Sequence, residues 1–163
     1  MADTIQFNLI GLDALDAKLK TVSEDIKYKG GRFALRKAAN LIANKAKAGA
    51  ERVDDPKTPA RIADNIVTRF SRRRFNKTGD LMFRVGVMGG AGGKAASGNY
   101  SNLPGGDTRH WRMLEFGTER MRAQPFMRKA LADNISEAIG EFATHYDKAL
   151  DRAIKRAAKQ GGG

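Results

Sequence analysis

RHWRMLEFGTERMRAQPFMRKAL, residues 109–131, organises the chain, because it contains the only tryptophan and leads into the longest apolar stripe. Bulky and aromatic side chains crowd residues 109–116, and this density predicts a strand. Gly117 and Thr118 then interrupt the run, and Pro125 suits the first turn of a helix, where its missing N–H costs nothing. Local physics leaves two interpretations of this corner open: a rigid feature presented to a partner, or an ordinary strand-to-helix connection.

Downstream of the corner, the sequence predicts a long C-terminal helix over residues 125–159. Its apolar positions recur at helical spacing, and the stripe consists of Leu131, Ile135, Ala138, Ile139, Phe142, Tyr146, Leu150 and Ile154. At about 1.5 Å per residue, such a helix would extend roughly 50 Å, which is more than one small domain can cover. Residues 160–163 end in three glycines and are expected to form a disordered tail.

The N-terminal third of the chain predicts one strand and two helices. Residues 4–10 alternate between apolar and polar side chains, as in a half-buried strand. A helical stripe follows, formed by Leu12, Leu15, Leu19, Val22 and Ile26. Gly30 and Gly31 are expected to end this helix, and an Ala-rich second helix is predicted over residues 32–52.

The middle of the chain predicts an antiparallel hairpin. Residues 66–71 and 81–88 both alternate, and residues 76–80 between them include Gly79, which can adopt positive φ in a turn. With residues 4–10 and 109–116, this hairpin would complete a small antiparallel sheet of about four strands. The sequence therefore predicts one α+β domain over residues 1–163, with two N-terminal helices and the long C-terminal helix packed across the sheet.

Residues 89–107 contain seven glycines and almost no apolar side chains. Ordering so many glycines costs entropy that little burial offsets, so this segment is predicted to be a mobile loop unless a neighbour holds it. Its resemblance to a phosphate-binding loop fails at Met88 and Ala95, where that motif requires Gly and Ser or Thr.

Composition argues against enzymatic and metal-dependent classes. The chain has no cysteine and only two histidines, His110 and His145, which lie far apart without a second ligand pattern nearby. Neither a nucleophile elbow nor a pair of catalytic carboxylates is evident. No apolar run approaches the roughly 20 residues of a membrane span. We expect no enzyme activity, no cofactor, no metal and no membrane association, and a protein made inside the cell.

The positive charge is concentrated in the middle of the chain. The formal net charge is +12, and residues 61–130 contain 14 Lys or Arg residues against 5 Asp or Glu residues. Arg69, Arg72, Arg73 and Arg74 lie near the predicted hairpin turn, with Phe70 and Phe75 beside them. This segment favours an acidic partner, either the phosphates of nucleic acid or an acidic protein surface. A solvated hairpin tip is the third interpretation.

Several residues of the corner resemble a known family. The spacing of an aromatic residue, EFGT, a short polar run and PF is similar to that of the lambdoid gene-ten-like phage tail-component family, and the matching residues are Trp111, Glu115, Phe116, Gly117, Thr118, Pro125, Phe126, Ala130 and Leu131. The opening FNLIGLDALDAKL, residues 7–19, also resembles that family. Residues 58–66 depart from it, since they lack the usual Thr-Gly-x-Leu step, and residues 89–107 are longer than the pattern requires.

The resemblance implies a structural role in phage assembly, with a location in the host cytoplasm during assembly and then in the tail or neck of the virion. Such a protein would complete the tail or join head to tail as a six-membered ring, touching the tail-tube protein and head-side connectors while genomic DNA passes through its channel. The implied assembly residues are Trp111, Glu115, Phe116, Gly117, Thr118, Pro125 and Phe126. Within this set, Phe126 is expected to be buried in the protomer, and Glu115 to be an exposed carboxylate near Arg120 or Arg122. A sequence-independent nucleic-acid-binding protein using the basic hairpin is the alternative.

Overall fold

The computed structural model describes residues 12–89 and 100–160, and these residues form an α+β fold in which helices predominate. The elements in chain order are α1 (Leu12–Thr21), α2 (Glu24–Val53), α3 (Ile62–Asn65), β1 (Ile66–Phe70), α4 (Arg72–Thr78), β2 (Phe83–Val87), a single 3-10 turn (Tyr100–Asn102), α5 (Trp111–Phe116) and α6 (Met127–Gln160). Helix α6 thus corresponds to the helix predicted over residues 125–159. The predicted strand at 4–10, and residues 161–163 of the predicted tail, lie outside the described residues.

The scaffold is an antiparallel pair of long helices, α2 and α6. Buried residues on α2 recur every four positions and are mostly small: Gly30, Ala34, Ala38, Ile42, Ala46 and Ala50. The facing row, which begins just before α6, has the same spacing: Phe126, Ala130, Ala138, Tyr146 and Leu150 are buried, and Asn134 and Phe142 are half-buried. Interlocking four-residue ridges are a common mode of helix packing, and small residues on one side let the axes approach closely.

Gly30 and Gly31 do not end a helix, so that prediction is wrong. Helix α2 continues through both glycines, and the break falls at Val22 and Ser23. A Cβ on Gly30 would lie 3.2 Å from Tyr146 Cε2, and one on Gly31 would lie 3.1 Å from Leu81 Cδ1. The glycines therefore provide space for neighbouring side chains, and the tertiary packing outweighs their low helix propensity.

The sheet has two strands in the described residues, and the prediction of about four is wrong. Strands β1 and β2 pair antiparallel, with Ile66 opposite Val87 and Phe70 opposite Phe83. The buried side chain of Ile66 joins a core cluster with α2 and α3 residues, against which Val85 and Val87 pack. Residues 111–116 form a helix and contribute no strand.

Helix α4 occupies the place of the predicted hairpin turn. Its Phe75 ring contacts the rings of Phe70 and Tyr28, with both centroid distances at 5.7 Å. Gly79 has φ of +76° and donates its N–H to the Phe75 carbonyl, so it caps the helix. The positive φ was correctly anticipated, but it serves a helix C-terminus, which prefers glycine for the same reason as a turn.

Buried Asn65 holds the end of the Gly-rich segment. Its side-chain amide donates to the Gly106 carbonyl at 2.9 Å and to Thr108 Oγ1 at 2.7 Å, and its Oδ1 accepts from the Gly105 N–H. A Cβ on Gly105 would lie 1.9 Å from the Arg61 carbonyl oxygen, so only glycine fits there. Residues 100–107 are thus tied to the scaffold, whereas residues 90–99 of the predicted mobile loop lie outside the described residues.

Candidate assembly site

Helix α5 begins the corner, and the predicted strand at 109–116 is wrong. Its inward residues follow helical spacing, since Trp111 and Leu114 pack against the core and Glu115 is buried. Met113 and Phe116 point outward and are exposed. The density of aromatic residues suggested a strand, but the helical spacing of the inward side chains determines the element.

The carboxylate of Glu115 binds the start of α6. One oxygen, Oε2, accepts the backbone N–H groups of Phe126 and Met127 at 2.8 and 2.9 Å. The other, Oε1, accepts the backbone N–H of Arg128 at 2.9 Å and its Nε at 3.1 Å. The first N–H groups of a helix lack partners within the helix and favour negative charge, so this carboxylate satisfies and stabilises them.

Glu115 is therefore an internal residue, and the prediction of an exposed carboxylate is wrong. Its side chain is 1% exposed, and its ion-pair partner is Arg128, where Arg120 or Arg122 was expected. Burial alone would raise the pKa of Glu115, but the hydrogen bonds from residues 126–128 outweigh it and hold this pKa below its ordinary value of 4.5. Sequence distance hid this contact, because nothing local marks a carboxylate as the cap of a helix more than ten residues downstream.

Gly117 closes the corner with a backbone conformation that other residues resist. Its φ is +76°, and a Cβ there would lie 2.8 Å from the Ala123 nitrogen. Thr118 pairs with Met121 in an isolated antiparallel bridge, and the Gln124 N–H donates to the Leu114 carbonyl at 2.7 Å. The loop between α5 and α6 therefore folds back on α5, and Gly117 supplies the positive φ that this turn requires.

Gly117→Ala is expected to lower the free energy of unfolding by about 2 kcal/mol, because the new Cβ meets backbone atoms and the backbone is strained. Gly140→Ala is the matched control, since Gly140 lies in α6 with no atom within 4 Å of its Cβ position. This control should raise stability by about 0.5–1 kcal/mol through helix propensity. Urea unfolding of both variants measures the difference, and equal effects of the same sign would contradict the assignment.

Phe126 and Trp111 form the internal face of the corner. Phe126 is 3% exposed, which confirms the expectation that it is buried, and its ring meets the half-buried indole edge-on with centroids 6.5 Å apart. The indole Nε1 is buried and has no hydrogen-bond acceptor among the residues that the structure describes. Pro125 is half-buried immediately before Phe126. These residues stabilise the protomer, and Phe116 and Thr118 remain as exposed members of the predicted assembly set.

Phe116 lies among exposed residues that the sequence did not single out. We define the α5–α6 patch as Met113, Phe116, Leu131 and Ile135, the exposed large apolar residues of α5 and of the first half of α6. Phe116 is 61% exposed and Leu131 51% exposed, and the guanidinium of Arg128 lies 4.9 Å from the Phe116 ring centroid. Leu131 and Ile135 each follow a member of the buried row by one position, which turns them away from α2. That offset is the signal that sequence inspection could have used.

A groove between α2 and α6 lies near the same end of the scaffold. Its volume is about 580 Å³, and its lining includes Lys45, Ala48, Phe126, Lys129 and Asp133. Lys129 and Leu131 are two positions apart and thus about 200° apart around a helix, so the groove and the α5–α6 patch flank α6 on different sides.

The predicted basic residues separate into two groups. Arg69 lies on β1, and Arg72, Arg73 and Arg74 begin α4; all four are exposed. Arg74 pairs with Asp80 at 3.1 Å. The other three have no acidic partner among the residues that the structure describes.

Across residues 12–89 and 100–160, no helix is both long and apolar enough to cross a bilayer. In the same residues, no three His, Cys, Asp or Glu side chains come together in a way that could hold a metal ion.

A rigid corner that displays large apolar side chains is typical of a protein that acts by binding other proteins. A family model described as "Bacteriophage HK97-gp10, putative tail-component" matches residues 13–117, more than half of the chain. The chain belongs to this HK97-gp10-like family of phage tail components, which confirms the resemblance seen in the sequence. The match ends at Gly117 and does not include Pro125 or Phe126. Searches of curated proteins and of solved structures gave no significant match.

Proposed function

We propose that the protein is a ring-forming subunit that completes the tail or joins head to tail at the neck of a long-tailed phage. Membership of the tail-component family supports a structural role in the virion. The observation that carries the proposal is the α5–α6 patch, because exposed large apolar residues grouped on one surface mark sites of protein association. The tail-tube protein and head-side connectors contact the faces of the ring, and genomic DNA passes through its channel.

The contact between neighbouring subunits joins the α5–α6 patch of one copy to the α2–α6 groove of the next. A ring requires two different surfaces on each subunit, and these two lie on different flanks of α6. The groove combines the half-buried apolar side chains of Val53 and Pro125 with the exposed, cationic Lys45 and Lys129. The Glu115 contacts hold the corner rigid before association, which lowers the entropy cost of binding.

The double variant Phe116→Ser/Leu131→Ser is expected to be folded and monomeric, because both side chains are exposed and removing them takes the apolar centre from the contact. Size-exclusion chromatography with light scattering measures the mass, and negative-stain electron microscopy shows whether rings form. Ile154→Ser is the control, since Ile154 is an exposed apolar residue at the other end of α6. Rings that form equally well in the double variant would contradict this interface.

A mixing experiment tests the pairing of patch with groove. Ala48 is exposed and lines the groove, so Ala48→Trp should block it and give monomers. The Ala48→Trp variant keeps an intact α5–α6 patch, and the Phe116→Ser/Leu131→Ser variant keeps an intact groove, so the two are mixed. The mixture should therefore form dimers and nothing larger. If neither variant forms rings by itself and the mixture also stays monomeric, the patch and the groove do not contact each other.

A further inference from the structure

The register of the hairpin places two arginines directly opposite each other. Arg69 on β1 faces Arg84 on β2, and the two residues are exposed. Opposed residues of an antiparallel pair project from the same face of the sheet at about 5 Å, and like charges in this position destabilise it. No carboxylate among the residues that the structure describes pairs with either guanidinium. The isolated protein thus has a local cost that an anionic partner would relieve.

Two further unpaired arginines lie at the same end of the hairpin. Arg72 and Arg73 follow β1 after a single residue, at the start of α4, and both are exposed without an acidic neighbour in the described residues. Arg74, in contrast, is neutralised by Asp80. We define the arginine face as Arg69, Arg72, Arg73 and Arg84, the four exposed arginines at this end of the hairpin that have no acidic partner among the described residues.

The composition of the arginine face indicates whether its binding partner is an acidic protein or a nucleic acid. Protein interfaces have an apolar centre. None of the exposed large apolar residues among the described ones lies on β1, α4 or β2, and beside these elements the exposed Tyr28 of α2 contacts Phe75 of α4 as a single aromatic side chain. Each guanidinium is a planar fork of donors that matches phosphate oxygens. A face of four unpaired arginines without an apolar centre therefore suits a polyphosphate backbone.

We propose that the arginine face binds the phosphate backbone of duplex DNA without regard to sequence. It differs from the basic cluster suggested by the sequence, because Arg84 joins through the strand register and Arg74 leaves through its ion pair. The proposal does not depend on ring formation, since all four residues belong to one chain.

Binding of a short fluorescein-labelled duplex of mixed sequence to the full chain, followed by fluorescence anisotropy at several salt concentrations, tests the proposal. Arg69→Ser/Arg84→Ser should weaken binding on the order of tenfold at low salt and reduce the slope of log affinity against log salt by about 1.8, for two lost phosphate contacts. Arg152→Ser/Arg156→Ser is the matched control, because it removes the same charge from exposed positions of α6, outside the hairpin. The control should keep the wild-type slope.

Arg84→Glu adds a second readout, because it places opposite charges across the strands. Its melting temperature should rise slightly above that of the wild type while its DNA affinity falls more than that of Arg84→Ser. Arg74→Ser/Asp80→Ser, which removes the whole ion pair and leaves the net charge unchanged, should leave both the affinity and the slope nearly unchanged.

Equal weakening in the Arg69/Arg84 and Arg152/Arg156 variants would mean that net charge alone attracts DNA, and it would overturn the proposal. Wild-type protein that fails to bind the duplex, but binds an acidic protein through these arginines, would overturn it in favour of a protein partner. Ring formation measured on the same samples is a separate outcome and bears only on the α5–α6 patch.

Discussion

Phe126→Ala is expected to lower the free energy of unfolding by about 3–5 kcal/mol, the usual cost of deleting a buried phenyl ring. The ring is almost fully buried, meets Trp111 edge-on and belongs to the same core cluster as Ala46, Ala50 and Ile62. Helix α2 approaches this side chain closely, since a Cβ on Gly49 would lie 3.1 Å from Phe126 Cβ. Since small domains have only about 5–15 kcal/mol of stability, the melting temperature should fall sharply.

Phe116→Ala is the control for that prediction, because it removes the same side chain from an exposed position of the same corner. Its unfolding free energy should stay within about 0.5 kcal/mol of the wild type. Urea titrations followed by circular dichroism compare the two variants. If Phe116→Ala lowered the free energy of unfolding as much as Phe126→Ala does, Phe116 would be a core residue, and the assignment of an exposed side of the corner would be wrong.

Glu115→Ala is the second large effect, with an expected loss on the order of 3 kcal/mol. The substitution removes the charged acceptor of three backbone N–H groups and of Arg128, and it leaves a cavity where the carboxylate was buried. Glu119→Ala is the matched control, since Glu119 is an exposed carboxylate in the adjacent loop, and its effect should stay below about 0.5 kcal/mol. If Glu115→Ala left the melting temperature unchanged, this carboxylate would not contribute to the stability of the protomer.

The same carboxylate should make stability depend on pH. Its pKa in the folded protein is held below the ordinary value of 4.5, so the ionised form favours folding. The contribution is complete above about pH 4.5 and is lost as the pH falls through the lowered folded pKa. The stability difference between wild type and Glu115→Gln should therefore shrink on acidification over that range. A difference that is constant from neutral pH into acid would show that the charge of Glu115 contributes nothing.

The corner combines residues that stabilise the protomer with an exposed residue that we propose for assembly. Trp111, Glu115 and Phe126 face inward and lock α5 to the start of α6, whereas Phe116 faces outward beside Arg128. Because the buried and exposed residues alternate within one helical turn, a change at a buried position would disturb the α5–α6 patch indirectly. Ring formation is thus best tested with the exposed positions alone.

Much of the helical framework could be predicted from the sequence. The long apolar stripe indicates α6 over nearly its full length, and the Ala-rich segment indicates most of α2, because a helix is recognised from spacing within one segment. The family resemblance could also be recognised from the sequence, because Trp111 and residues 115–117 form a local pattern, and these residues lie within the family match. The antiparallel pairing of β1 with β2 followed from two alternating segments of similar length.

What only the tertiary structure decided involves contacts between distant segments. Gly30 and Gly31 continue a helix because Tyr146 and Leu81 fill the space above them, and no local signal announces that. Glu115 becomes a buried helix cap because α5 and α6 bring its carboxylate to three unpaired N–H groups, whose attraction outweighs the cost of burying charge. The strand register, which local sequence specifies only weakly, sets Arg69 opposite Arg84. Spacing along the chain therefore determined the long helices and the paired strands, and packing between the elements determined which residues are internal and which are exposed.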